Sequence, residues 1–158
     1  MIEGLARFPL ERRADERGWF AELARASALP KPIRQANLSR SRRGVIRGLH
    51  YHERGQDDLF VCLAGMVRVV VLDRTSGETF CEDIGDDNPV AIYVPGIHAH
   101  GYEALTDALF VYLVTEEYDP ADPDEQGVPW DDVQVKHLWS VEQPILSARD
   151  AATAQEVR

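Results

Sequence analysis

The chain is short of several things, and each shortage excludes a class of protein. No apolar run approaches the roughly 18 residues that a membrane-spanning helix requires, so no membrane partner is expected. The opening stretch MIEGLARFPLERRADERGWF lacks the apolar centre of a secretory signal, and a cytoplasmic location is the expectation. Cysteine is scarce. Cys62 and Cys81 can form at most one bridge, and Cys62 lies in an apolar run, where a buried free thiol is expected. Positive charge is short as well: 17 Lys and Arg against 27 Asp and Glu leave a net charge of −10. That balance argues against nucleic acid as a partner. Internal repeats and low-complexity linkers are lacking, and 158 residues at 44% hydrophobic content suit one globular domain over residues 1–158.

The charge that is present is unevenly spread. Arg34, Arg40, Arg42, Arg43, Arg47 and Arg54 crowd one short region, whereas Asp107 to Asp132 carries nine acidic residues and no Lys or Arg. Guanidinium forks suit phosphate oxygens, so the arginines fit either a small anionic ligand or a solvated basic loop. Segment 119–132, DPADPDEQGVPWDD, has three prolines and reads as an exposed acidic loop. Its carboxylates lack the spacing of a calcium loop.

LFVCLAG (59–65), VRVVVLD (67–73), VAIYVP (90–95) and ALFVYLVT (108–115) are short, β-branched runs bounded by turn residues. They predict an all-β sandwich or barrel. The tail SARDAATAQEVR (147–158) is the one good helix candidate, with Ser147 as cap and Asp150 as its capping-box partner. Strand alternation puts Ile46, Gly48, His50 and His52 on one face. Arg47 falls on the other and joins them only if the chain bends or bulges near Gly48. After the Pro95–Gly96 turn, His98 and His100 share a side. Four of the five histidines thus form two H-x-H pairs, which are expected to line one site. Tyr112 shares a strand face with Phe110 and Val114, where a tyrosine is ordinarily core.

Two resemblances give these residues chemistry. Metal-binding cupins have a spacing that is similar to Gly44, His50, His52, Asp58 and His100 here, with Asp58 in place of the usual glutamate and a longer gap before it. That likeness implies a metal-dependent cupin enzyme with His50, His52, Asp58 and His100 as ligands.

The second resemblance covers residues 8 to 151. DERGWFAE (15–22), RQANLSRSRRGVIRGLHYH (34–52), VPGIHAHGY (94–102), FVYLVT (110–115) and LSARD (146–150) follow, in order, motifs of the dTDP-4-dehydrorhamnose 3,5-epimerase family. The resemblance implies a cupin-type jelly-roll barrel with a short C-terminal helix, and a homodimer. It also implies a cofactor-free, metal-free isomerase of nucleotide-linked 4-keto-6-deoxysugars. Protons beside such a ketone are acidified, and removing one calls for a base with pKa near 7, hence histidine. The family pattern makes His50 the base, Asp150 its orienting carboxylate and Tyr112 the acid on the far face. Arg47, Gln35, Asn37 and His100 would bind the substrate, and Arg17, Phe20 and Glu22 would hold the nucleotide from a neighbouring subunit.

The chain departs from that pattern. Asp58 stands where the family has an enolate-stabilising lysine, Val61 replaces an arginine, and Glu117, followed by Tyr118, occupies the place of a base-stacking aromatic. HYH replaces the usual HYQ, which is similar to the H-A-H pair of sugar-nucleotide 3,4-ketoisomerases. A binding or regulatory cupin without catalysis is the third reading that these departures leave.

Overall fold

The computed structural model describes residues 1–156. Two five-stranded antiparallel sheets face each other. The first runs β1 (Ala6–Pro9), β9 (Val90–Pro95), β6 (Asp57–Ala64), β11 (Ala108–Val114), β4 (Gln35–Ser41). The second runs β12 (Gln126–Gly127), β5 (Ile46–Tyr51), β10 (Ala99–Ala104), β7 (Met66–Leu72), β8 (Thr79–Gly85). Strands from β4 to β11 cross repeatedly between the sheets, which is the jelly-roll arrangement. A separate hairpin, β2 (Arg13–Asp15) with β3 (Gly18–Phe20), projects from the N-terminal region. The helix α1 spans Ala148–Glu156; the expected helix ran to residue 158, and residues 157–158 lie outside those described. No helix among the described residues is long and apolar enough to cross a membrane.

Alternation builds three apolar layers from these strands. Phe60, Cys62, Val67, Val69, Val71, Ile92, Tyr102 and Phe110 point between the sheets. Leu59, Val61 and Tyr93 point outward from the first sheet and pack under Phe8, Leu10, Leu23 and Leu29 of the N-terminal segment. On the second sheet, Ile46, Leu49, Val70 and Leu72 are covered by Trp130, Val135 and Trp139 of the long return before α1. A strand apolar on both faces, as β11 is, therefore has a partner layer on each. Both cysteines are free, and burial pushes the Cys62 thiol up to about 11.

The register of β5 decides where the polar residues go. His50 pairs with His100 and Arg47 pairs with Tyr102, so three steps along β5 match two along β10. The extra residue is a bulge at Gly48–Leu49. It overturns the expectation that Ile46 shares a face with His50: Ile46 and Leu49 are fully buried on the outer side, whereas Arg47 and His50 both turn inward. The bend required for Arg47 to join His50 is thus present. Gly48 has φ +120, and a Cβ there would meet the Gly101 Cα at 2.8 Å. Gly101 is the other half of this close approach, since its Cβ would meet the Arg47 carbonyl oxygen at 2.4 Å. Gly101→Ala should cost about 1–3 kcal/mol through overpacking, read as a lower urea midpoint. An unchanged midpoint would show that the approach tolerates a methyl group.

Candidate active site

The space between the sheets is apolar at one end and polar at the other. The polar end opens into a cavity of about 660 Å³, well within the size range of small-ligand sites. One wall carries Gln35 and Asn37 of β4 and Tyr112 of β11; the opposite wall carries Arg47 and His50 of β5 and His100 of β10.

His50 stands between two carboxylates. Its Nε2–H donates to Asp150 Oδ1 at 2.8 Å, and its Nδ1 lies 3.0 Å from Glu125 Oε1. Arg149 holds the other Glu125 oxygen at 2.9 Å. Burial alone would lower the His50 pKa, but hydrogen bonds and charge from Asp150 and Glu125 reverse this and push it up to about 9. The partners move the opposite way. Burial favours their neutral forms, yet His50 and Arg149 hold Glu125 down at about 2, and His50 keeps Asp150 below its ordinary value. At neutral pH the arrangement is a cation between two anions. With Nε2 committed to Asp150, Nδ1 is the nitrogen able to take a proton once Glu125 moves aside.

Local structure explains each placement. Ser147 caps α1 by accepting the Asp150 backbone N–H at 3.1 Å, so half of the expected capping box is present. The Asp150 carboxylate turns to His50, and bonds to the Ser147 side chain and the Gly48 backbone also help to hold its pKa below the ordinary value. Arg47 Nε–H donates to Ser41 Oγ at 3.0 Å, and that hydroxyl is 2.9 Å from the Tyr102 hydroxyl. Gln35 Nε2–H donates to Asn37 at 2.8 Å, while its Oε1 accepts the Tyr118 N–H at 2.9 Å. Burial, reinforced by the charge of Asp58, raises the Tyr112 pKa and keeps its phenol protonated.

A second polar cluster, His52, Gln56, Asp58 and His100, lines the same cavity. Gln56 Nε2–H donates to His52 Nε2 at 3.0 Å and to Asp58 Oδ1 at 2.8 Å. His100 Nε2 lies 3.3 Å from Asp58 Oδ2. Asp58 is buried, which favours its neutral form, but His100, His52 and Gln56 together hold its pKa below the ordinary value.

Several expectations need correcting. His98 leaves its pair: its Nε2–H donates to the Glu3 carbonyl at 3.0 Å and its Nδ1 lies 3.6 Å from Asp73, away from the cavity. The four-ligand metal set is not assembled, because His52, Asp58 and His100 converge while His50 is engaged elsewhere. Nor is the acidic loop wholly solvated. Asp124 accepts the Glu53 and Arg54 N–H groups at 3.0 and 2.7 Å, and β12 then pairs with β5 to bring Glu125 onto His50. Sequence reasoning missed Glu125 and its holder Arg149. The visible signal was that Arg149 adjoins Asp150. Arg17, Phe20 and Glu22 lie outside their own chain's cavity: Arg17 pairs with Asp15 at 2.5 Å, Glu22 with Arg25 at 2.6 Å, and Phe20 is exposed.

Because His50 is raised from 6.5 to about 9, its stabilising contribution is complete below 6.5 and is lost as pH rises through about 9. The urea midpoint should therefore fall between those values, and Glu125→Gln should flatten the fall. An NMR titration of the His50 ring should give a pKa near 9, lowered in Glu125→Gln and in Asp150→Asn; an unshifted value in both would remove the two carboxylates as its cause.

The model of the dTDP-4-dehydrorhamnose 3,5-epimerase family matches residues 1–156. A spore coat polysaccharide biosynthesis protein of Bacillus subtilis is 40% identical over 150 residues, 90% of this chain and 99% of that protein. A dTDP-4-dehydrorhamnose 3-epimerase of Streptomyces niveus is 37% identical over 94% of this chain and 78% of its own length. Among solved structures, a 4-keto-6-deoxy sugar epimerase from the novobiocin cluster of Streptomyces spheroides superposes with a TM-score of 0.85. It is 34% identical, over 99% of this chain and 87% of that one. The barrel is accordingly cupin-like, and the metal-dependent reading is not the one these relatives favour. The chain belongs to the dTDP-4-dehydrorhamnose 3,5-epimerase family.

Proposed function

We propose that this chain is an isomerase that epimerises a dTDP-linked 4-keto-6-deoxysugar at C3, C5 or both, in deoxysugar or polysaccharide biosynthesis. The observation that carries the reading is the His50–Asp150 contact at 2.8 Å in a cavity whose opposite wall bears Tyr112. Epimerisation takes a proton from one face of a carbon and returns one to the other, so it needs two proton-handling groups on opposing walls. His50 on β5 and Tyr112 on β11 belong to opposing sheets.

In the first step the C–H bond beside the ketone breaks and the proton passes to His50 Nδ1. The electron pair moves into the ring C–C bond, leaving charge on the C4 oxygen as an enolate. Asp150, on Nε2, fixes the ring and stabilises the imidazolium that forms. The Tyr112 O–H then protonates the carbon from the other face, the C4 carbonyl re-forms, and solvent restores the phenol and takes up the proton held on His50. Arg47, drawn inward by the bulge at Gly48, is suited to grip the diphosphate. Gln35 and Asn37 add polar contacts, and His100 lines the enolate site. Glu125 must leave Nδ1 when substrate enters; the His50 pKa then falls, and Nδ1 gives its proton to solvent before it takes one from carbon.

The catalytic unit in this proposal is a single domain over residues 1–158, acting in the cytoplasm as a homodimer. Trp19 and Phe20 are 56% and 62% exposed at the β2–β3 hairpin. Such apolar exposure suits a hairpin laid on a second copy, where Arg17, Phe20 and Glu22 would contribute to the neighbouring cavity.

His50→Ala should lower turnover of dTDP-4-keto-6-deoxyglucose by about 10²–10⁴-fold, the ordinary value of a positioned base, followed by chromatography of the products. Turnover like that of the unaltered chain would refute the assignment. Tyr112→Phe should keep proton abstraction while the inverted product falls; an unaltered product ratio would take Tyr112 out of the mechanism.

A further inference from the structure

His100 lines the enolate site in the reaction above, but the cluster that it forms with His52 and Asp58 has no part in the proton transfer. All three residues are buried, and a donor atom from each lies within 4.8 Å of the others. The tautomers follow from the partners. His52 Nδ1 faces the backbone carbonyl of Asp124, and His100 Nδ1 faces that of His98 at 2.8 Å. A carbonyl only accepts, so both Nδ1 atoms carry hydrogen. The Nε2 atoms point inward, that of His52 accepting from the Gln56 amide and that of His100 facing Asp58. A histidine whose outer N–H is tied to a backbone carbonyl, with its other nitrogen pointing inward, is the usual supporting geometry of a metal ligand; a proton on His100 Nε2, facing Asp58, passes to solvent as the ion binds.

We propose that His52 Nε2, Asp58 and His100 Nε2 form a binding site for a divalent first-row transition metal such as Zn²⁺, Mn²⁺ or Fe²⁺. Two imidazoles and one carboxylate occupy one side of the ion and leave the cavity side open. Metal–ligand bonds of about 2.1 Å place donor atoms roughly 3–3.4 Å apart, so the three side chains close by about 1–2 Å on binding. Gln56, which now bridges His52 and Asp58, releases His52 as the ion enters and keeps its contact with the carboxylate. The ion answers a physical difficulty in the cluster, since a buried carboxylate whose ionic partner is a histidine gains from a stronger cation. It also reverses the sign of charge beside the place where an enolate would form. That consequence rests on the epimerase reading; the binding site does not.

The test is Zn²⁺ titration of chelator-treated, dialysed full-length protein by calorimetry, with Co²⁺ absorption as a second reading of the ligand set. One ion per chain is expected, with affinity falling at least tenfold in Asp58→Asn and in His52→Gln. His98→Gln, outside the cluster, should bind as the unaltered chain does. Binding below about a tenth of an equivalent, or equal binding in all three variants, would overturn the site. Should a variant fail to fold, ¹⁵N NMR of the unaltered protein decides. Zn²⁺ should shift the Nε2 resonances of His52 and His100 while both Nδ1–H groups persist. Unmoved resonances, with His100 Nε2 protonated against Asp58, would make the cluster a plain ion pair. Metal binding without epimerase activity would leave this inference standing and remove the reaction; activity without binding would do the reverse.

Discussion

The bridge from Glu125 through His50 to Asp150 joins three segments that are distant in the chain and sets the character of the cavity. Charges drawn partly out of solvent are costly unless paired, so they are brought in by something else that is favourable. Apolar burial on the outside of the second sheet does this. Trp130, Val135 and Trp139 pack over Ile46, Leu49, Val70 and Leu72, and the chain that supplies them begins at β12 and ends at α1. Covering that outer face therefore delivers Glu125 at one end and Asp150 at the other, both to the same histidine. The return is anchored again where Ser140 donates to the buried Glu103 carboxylate through its backbone N–H at 2.7 Å and through its hydroxyl.

The bulge at Gly48 is the second constraint. A regular strand would send Arg47 to the outer layer, beneath the tryptophans and away from the cavity. One extra residue returns it to the inner face beside His50, and the close approach of Gly48 and Gly101 is what makes room. The inner wall of the second sheet then holds both a cation suited to a diphosphate and a histidine suited to a proton, while the facing sheet holds the phenol. The opposition of the two sheets thus sets His50 and Tyr112, the two groups that the proposed reaction uses, on facing walls.

Much of this was legible in the sequence, and the remainder was not for definable reasons. β6, β7, β9 and β11 announce themselves because a strand buried on both sides is a continuous apolar run. His50, Asp150, Tyr112 and Arg47 are recognisable because they fall in ordered motifs, and strand alternation even specified the bend that Arg47 would need. Glu125 was hidden because it sits in an acidic run that reads as solvated, and because the pairing of Gln126 with Tyr51 is a long-range event with no local signature. His98 misled for the opposite reason. Its spacing from His100 is that of a shared face, but it precedes β10, and the Glu3 carbonyl draws its ring away. Asp150 combined two readings, since its backbone N–H serves the helix cap and its carboxylate serves His50.

The central claim is that the cavity forms an enolate beside a sugar ketone. The most direct measurement is deuterium incorporation, followed by NMR, when the purified protein is incubated in D₂O with dTDP-4-keto-6-deoxyglucose. Deuterium appearing at C3 or C5 is the result this account predicts, and the labelled position identifies the carbon that is inverted. A substrate recovered without deuterium at either carbon, from protein shown by calorimetry to bind it, would contradict the account.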